Sequence, residues 1–198
     1  MSAQSPSSLW LHRPNVSSSL PAWSREVDGP ACTAFEELKR GLQELSGEFP
    51  RLGSGGVGLF RSSELPEEGF QRRMEGGQLV LRSGGDRGLL YGVFDLLRDL
   101  RLGRDAETEK RETPAMPLRM LNHWDNMDLS FAKTGEAVER GYAGASVFDW
   151  TRPFVEQPRV WELARLYASI GLNACCINNV NADPRYLTDD AFGKLEEL

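Results

Sequence analysis

Apolar positions along the chain fall into a few short rhythms separated by polar stretches. In "ACTAFEELKRGLQELSGEF" (31–49), Phe35, Leu38, Leu42 and Leu45 recur at three- and four-residue spacing, which predicts an amphipathic helix. Thr33 with Glu36 fits a capping box at its start, and Gly47 is a natural stop. "GVGLFR" (56–61) and "GQLVLRS" (77–83) read as short strands parted by polar, glycine-rich turns. "GGDRGLLYGVFDLLRDLRLG" (84–103) is a second helix, with a broad apolar face of Leu89, Leu90, Val93, Phe94, Leu96, Leu97 and Leu100. Residues 1–105 therefore predict a small α/β domain, helices packed on a sheet.

The rhythm then breaks. "RDAETEKRETPAMP" (104–117) is charged, lacks large aliphatic residues and carries two prolines near its end, so 106–117 reads as a linker. Beyond it, "LRML" (118–121) predicts a buried strand, and "ASVFDW" (145–150) a short strand or turn. "QPRVWELARLYASIG" (157–171) predicts a helix with Val160, Leu163, Leu166, Tyr167 and Ile170 on one side. "LNACCINNV" (172–180) is the near-continuous apolar run of a strand buried on both faces of a parallel sheet. "TDDAFGKLEEL" (188–198) starts another helix, with Thr188 as N-cap. Strand, long loop, helix, strand, loop, helix is how a (β/α)₈ barrel or a doubly wound sheet begins. The sequence stops with that second crossover helix just started, so 118–198 reads as an unclosed beginning.

Composition narrows the function classes. Across 198 residues, 40% hydrophobic content is enough for a packed core. A formal net charge of −6 with no basic block argues against nucleic acid, whose phosphates need clustered Lys and Arg. No run approaches the length that spans a bilayer, and the opening has no secretory pattern. Three cysteines, Cys32 and the adjacent Cys175 and Cys176, read as buried free thiols in a reducing compartment, hence a cytoplasmic protein. His12 and His123 are the two histidines, and neither has a second ligand at metal spacing, so no metal is expected.

Candidate chemistry gathers after the second-half strands. Gly53, Gly55 and Gly58 satisfy G-x-G-x-x-G, but a strand-like stretch follows where a dinucleotide site needs a helix, so this is a loop. The residues past "LRML" are Asn122, His123, Trp124, Asp125 and Asn126, and those past "ACCI" are Asn178, Asn179, Val180, Asn181 and Asp183. In βα folds ligands sit at the C-terminal strand ends. Amides and carboxylates pair with hydroxyls in both directions, and Trp124, joined by Trp150, offers a face for a sugar ring. The alternative is that Asn and Asp only cap strand ends and turns. Asp125, Asp128, Glu139 and Asp149 could supply acid–base work, but spacing gives none of them a catalytic place, and loop hydrogen bonding is the simpler role. Cys175 and Cys176 lie inside the strand with no nearby His, which reads as packing.

"LNHWDN" (121–126), "ERGYAGASVFDW" (139–150) and "YASIGLNACCINNVNA" (167–182), in that order, resemble the microbial α-glucuronidases of glycoside hydrolase family 67. "GLLYGVFDLLRDL" (88–100) resembles the closing helix of that family's N-terminal domain. The resemblance covers residues 88–187 and implies an α/β N-terminal domain followed by the first βα units of a (β/α)₈ TIM barrel, from 118 onward. It implies an enzyme that releases (4-O-methyl)glucuronic acid from its α-1,2 link to xylose in xylan-derived aldouronic acids. Inversion, no cofactor and a homodimer are further implications. The catalytic carboxylates of such enzymes lie on later barrel strands, so no residue of this chain inherits a catalytic role. What carries over is pocket: Trp124 lines the uronic acid site and Val180 lies near the 4-O-methyl group. Asn126, Asn178 and Asn179 shape the pocket, and Arg140 and Tyr142 stand behind it. One departure is that "MDLSFAKTGEAV" (127–138) replaces a very short glycine-containing link, an insertion over Leu129–Val138 that alters aglycone binding or is a surface loop. A non-catalytic carbohydrate-binding module and another glycoside hydrolase such as a hexosaminidase are the alternative readings.

Overall fold

The computed structural model describes residues 22–23, 30–45, 56–123, 148–177 and 187–196. By compactness it divides into Met1–Pro117 with Ala168–Gly171, and Leu118–Tyr167 with Leu172–Leu198.

In the first unit, β1 (Ala22–Trp23), β2 (Val57–Arg61), β3 (Phe70–Glu75), β4 (Gln78–Ser83) and β5 (Lys110–Glu112) form one sheet in the order β1-β2-β4-β3-β5. β2 runs parallel to β1 and β4, while β3 is antiparallel to β4 and β5. Two helices, α1 (Pro30–Leu45) and α2 (Asp86–Arg101), share one core with the sheet. The predicted apolar faces are the buried ones: Leu38, Leu42 and Leu45 from α1, and Leu89, Val93, Leu96, Leu97 and Leu100 from α2, meet Val57, Leu59, Leu79 and Leu81.

Three expectations change here. α1 begins at Pro30, a turn earlier than a capping box at Thr33 would place it. Proline's fixed φ and missing N–H suit the first helical position, and Thr33 is left inside the helix. The stretch before Gly77, read as turn, holds β3, joined to β4 by Gly76 and Gly77 with φ of 57° and 84°. Two positive φ values are what a tight right-twisted hairpin requires. β5 lies in the charged segment read as linker, at the sheet edge, where Lys110 and Glu112 pair with Arg72 and Phe70.

β3 escaped the hydrophobic pattern because Arg72 occupies an inward place. Its side chain is 2% exposed and pairs with Asp95 at 3.4 Å and Asp99 at 2.8 Å, both on α2. Lys110 of β5 reaches Asp95 at 2.7 Å, and Arg98 bonds the same carboxylate. Desolvation works against the Asp99 carboxylate, but the hydrogen bond and charge of Arg72, then Lys110 and Arg104, outweigh it and hold its pKa below the ordinary value.

In the second unit β6 (Met120–Asn122) and β7 (Ala174–Cys176) form a two-stranded parallel sheet. Between them come a 3₁₀ turn (Phe154–Glu156) and α3 (Pro158–Ser169), and α4 (Asp189–Leu195) follows. Thr188 caps α4 as expected, its side chain accepting from the Ala191 N–H at 3.3 Å. A small core joins Phe148, Trp150, Phe154, Val160 and Ala191.

The strands here are not buried as the sequence predicts. Leu118, Met120 and Leu121 are exposed, Ala174 and Cys176 are half-buried, and Cys175 is exposed. Two strands with no third beside them among the described residues leave each other little cover. Ile170, expected on the apolar face of α3, lies past the helix end and is exposed. Nor are the cysteines buried thiols, since Cys32 is exposed as well. No described helix is long and apolar enough to cross a membrane.

Candidate functional site

Parallel pairing decides where the second-unit loops leave the sheet. Met120, Leu121 and Asn122 stand opposite Ala174, Cys175 and Cys176, so both strands end at the same edge and in step. At the entry edge the Asn173 side-chain oxygen accepts from the Arg119 N–H at 2.9 Å, while the Asn173 N–H donates to the Arg119 carbonyl at 3.0 Å. At the exit edge the His123 N–H donates to the Cys176 carbonyl at 2.7 Å. The last residues of the two strands, Asn122 and Cys176, thus lie side by side.

His123 is fixed by its ring as well. The Tyr167 hydroxyl of α3 shares a hydrogen bond with Nε2 of His123, the tautomer setting which of them donates. Phe148 meets the imidazole edge-on, centroids 5.9 Å apart at 81°, and the Tyr167 ring lies 5.7 Å away. The imidazole is engaged in orientation, and no described group of His, Cys, Asp and Glu could hold a metal with it.

The loop before α3 is built on Gln157, which is buried although polar. Its side-chain NH₂ donates to the carbonyls of Asp149 at 2.7 Å, Arg152 at 3.1 Å and Pro153 at 3.3 Å, and its oxygen accepts from the Asp149 N–H at 2.9 Å. One amide therefore supplies, to a loop outside the sheet, hydrogen bonds that a neighbouring strand would otherwise give. In the same loop Trp150 and Phe154 pack edge-to-face at 5.0 Å, and Phe148 and Phe154 at 5.2 Å. Lys194 of α4 donates to the Trp150 carbonyl at 2.6 Å. Trp150, expected to add to a sugar-binding face, is instead a core residue, 8% exposed.

Asp149 is the one candidate carboxylate among the described residues. It accepts from the Thr151 N–H at 3.0 Å and hydroxyl at 2.6 Å, and Arg152 lies 3.6 Å away. The Thr151 hydroxyl, then its N–H, hold the carboxyl below its ordinary pKa. A group so held stays ionised and serves the turn, not proton donation. Although Cys175 is exposed as a residue, partial desolvation at its sulfur, then the neighbouring Cys176, raises its thiol, the opposite of an activated nucleophile.

The pocket residues expected from the sequence, Trp124, Asn126, Arg140, Tyr142, Asn178, Asn179 and Val180, lie outside the described residues, as do Asp125, Asp128, Glu139 and the insertion 129–138. The structure brings together the two strand ends from which the Trp124 and Asn178–Val180 segments leave. Sequence reasoning missed Gln157 and Tyr167 as positioning groups. Gln157 had one signal, its place before Pro158, where backbone is pushed out of the helical region; its φ and ψ are −102° and 104°.

Comparison with known proteins adds independent findings. Residues 100–198 match the model of the glycosyl hydrolase family 67 middle domain. Alpha-glucuronidase A of Emericella nidulans is 40% identical over 128 residues, 64% of this chain and 15% of that protein. A probable alpha-glucuronidase A of Aspergillus oryzae is 34% identical, covering 91% of this chain and 23% of that one. The alpha-glucuronidase of Hypocrea jecorina is 31% identical, covering 86% and 23%. The chain thus spans less than a quarter of the length of each of these relatives. Among solved structures, a GH138 enzyme targeting pectin rhamnogalacturonan II superposes with a TM-score of 0.56 over 88% of this chain and 22% of that one, at 18% identity, a likeness of fold alone.

Proposed function

The chain belongs to glycosyl hydrolase family 67, and from that premise we propose that it is part of an α-glucuronidase acting on xylan-derived aldouronic acids. In this reading β6, α3 and β7 are the first βα units of a (β/α)₈ barrel. The pocket wall for glucuronic acid is carried on the segments that leave the two strand ends, with Trp124 against the sugar and Val180 near its 4-O-methyl group. Asn126, Asn178 and Asn179 shape the pocket, with Arg140 and Tyr142 behind them.

The observation that carries the reading is the in-register parallel pair. It sets Asn122 and Cys176, the last residues of the two strands, side by side at the kind of strand edge where βα enzymes bind their ligands. In this reading cleavage proceeds by inversion, which needs two carboxyl groups roughly 6.5–9.5 Å apart with water between. Asp149, hydrogen-bonded into its own turn, is not offered as one of them. The catalytic pair belongs to later strands of the barrel, no cofactor takes part, and the whole enzyme works as a homodimer. We place it in the cytoplasm, where exposed thiols such as Cys175 stay reduced.

An assay on aldouronic acids tests this. The full-length enzyme is expected to release glucuronic acid with inverted anomeric configuration, followed by proton NMR, and to lose affinity on Trp124→Ala. The 198-residue chain alone is expected to release none. Turnover by that chain alone would sink the assignment of catalysis to later strands.

A further inference from the structure

We propose that β5 is a strap latched by charge: Lys110, set between Asp95 and Asp99, holds residues 104–112 onto the first unit, and its loss frees that segment while the rest of the unit stays folded. The proposal does not depend on the pocket reading. β5 has no apolar side chain to bury, and Ala106 is the one buried residue among 104–112. Its single methyl group gives little hold. What fastens the segment is polar. Lys110 Nζ donates to Asp95 at 2.7 Å and lies 3.9 Å from Asp99. The Arg104 backbone N–H donates to the Asp99 carbonyl at 2.9 Å, and its guanidinium reaches the Asp99 carboxylate at 3.5 Å. At the sheet edge Lys110–Glu112 pair with β3, and Gln71 Nε2 donates to the exposed Glu109 at 2.8 Å.

The two cations on these carboxylates have different work. Arg72 is 2% exposed and bonds both Asp95 and Asp99 from inside the unit, whereas Lys110 is 29% exposed and comes from the outermost strand. Without Lys110, Asp95 keeps Arg72 and Arg98, and Asp99 keeps Arg72 and Arg104. Neither carboxylate is left buried and unpaired, so the heavy cost of a stranded charge is avoided. The apolar core contains no residue of β5, and β3 stays paired to β4 when its other edge opens. A segment held by few apolar contacts and many polar bonds opens locally, ahead of the core. The opening matters for the chain as a whole. β5 lies within the 100–198 stretch matched to one family domain, yet it completes the sheet of the other unit. Releasing it lengthens this connection between the units from 113–117 to 104–117.

The test is native-state amide exchange on the full-length enzyme, read by mass spectrometry in peptides covering 104–112 and β4. Lys110→Met keeps an unbranched apolar stem and removes the charge. It is expected to speed exchange at 110–112 about tenfold or more, the size of one lost charge-assisted hydrogen bond. Exchange in β4 should change less than about twofold, because its opening belongs to the core. Lys110→Arg, which returns a cation, is expected within about threefold of wild type. Gln71→Ala removes the exposed tie to Glu109 and should also stay within about threefold. Unchanged exchange in Lys110→Met would overturn the proposal, since the ladder alone would then hold β5. Equal acceleration at 110–112 and in β4, or a Lys110→Met protein that does not fold, would also overturn it, since Lys110 would then support the core. So would a Lys110→Arg protein as fast as Lys110→Met, or a larger effect from Gln71→Ala, since neither fits a latch made by the charge of Lys110.

Discussion

The two units of this chain solve the same problem, holding parallel strands together, by different means. In the first, five strands and two helices bury a continuous apolar core, and the inward-facing charge of Arg72 is neutralised by Asp95 and Asp99. In the second, two three-residue strands have exposed faces, and a five-residue, largely aromatic core accompanies them. There the structure is fastened by single polar side chains, Asn173 at the entry, His123 at the exit and Gln157 in the loop. The first unit is a scaffold that apolar burial maintains. The second is a set of clamped segments, from whose strand exits the proposed pocket wall leaves.

Substitutions can break that contrast. The largest effect is expected from Arg72→Leu, which leaves Asp95 and Asp99 buried without their central partner. Breaking a buried ion pair from one side costs about 3–5 kcal/mol, read as a lowered urea midpoint and faster amide exchange within 57–101. Phe154→Ala should cost about 3 kcal/mol, the lower end for a buried aromatic, because its small cluster can settle into the gap. A greater loss from Phe154→Ala than from Arg72→Leu would reverse the contrast.

Acid titration sharpens it further with a smaller effect. The folded pKa of Asp99 lies below its unfolded value, so its contribution is fully present above the unfolded carboxyl value near ~4. That contribution is lost as pH falls through the lower folded value. Urea midpoints measured from pH 5 downward should therefore drop below about pH 4, and Arg72→Leu should flatten that drop. An equal slope in the variant would show that Arg72 does not hold the carboxylate. The smallest effect belongs to Thr188→Ala in the second unit, about 1 kcal/mol from the lost cap of α4, seen as faster exchange in 189–195.

The first unit was legible in the sequence where burial follows period. Leu38 and Leu42 of α1, and Leu89, Val93 and Leu97 of α2, needed only the three- and four-residue rhythm, and they are buried as that rhythm predicts. β3 was illegible because Arg72 interrupts the alternation, and its partners Asp95 and Asp99 are 23 and 27 residues away. β5 hid in "KRE", which has no apolar side to reveal it. In the second unit the polar clusters after each strand were visible, but not that Trp150 turns into the core while His123 is held at the exit. An aromatic side chain suits either place, and only its neighbours decide.

The sequence by itself determined the apolar faces of α1 and α2, the Thr188 cap and, through its motifs, the family. The first two rest on residues a few positions apart, whose geometry the backbone alone prescribes. Tertiary structure decided the hairpin partner of β3, the neutralisation of Arg72, the exposure of the cysteines and the step-for-step pairing of β6 with β7. The ion pair joins residues 23 positions apart, Arg72 and Asp95, and the strand entry joins Arg119 and Asn173, 54 apart. No local period encodes such meetings, because they depend on where the intervening chain returns.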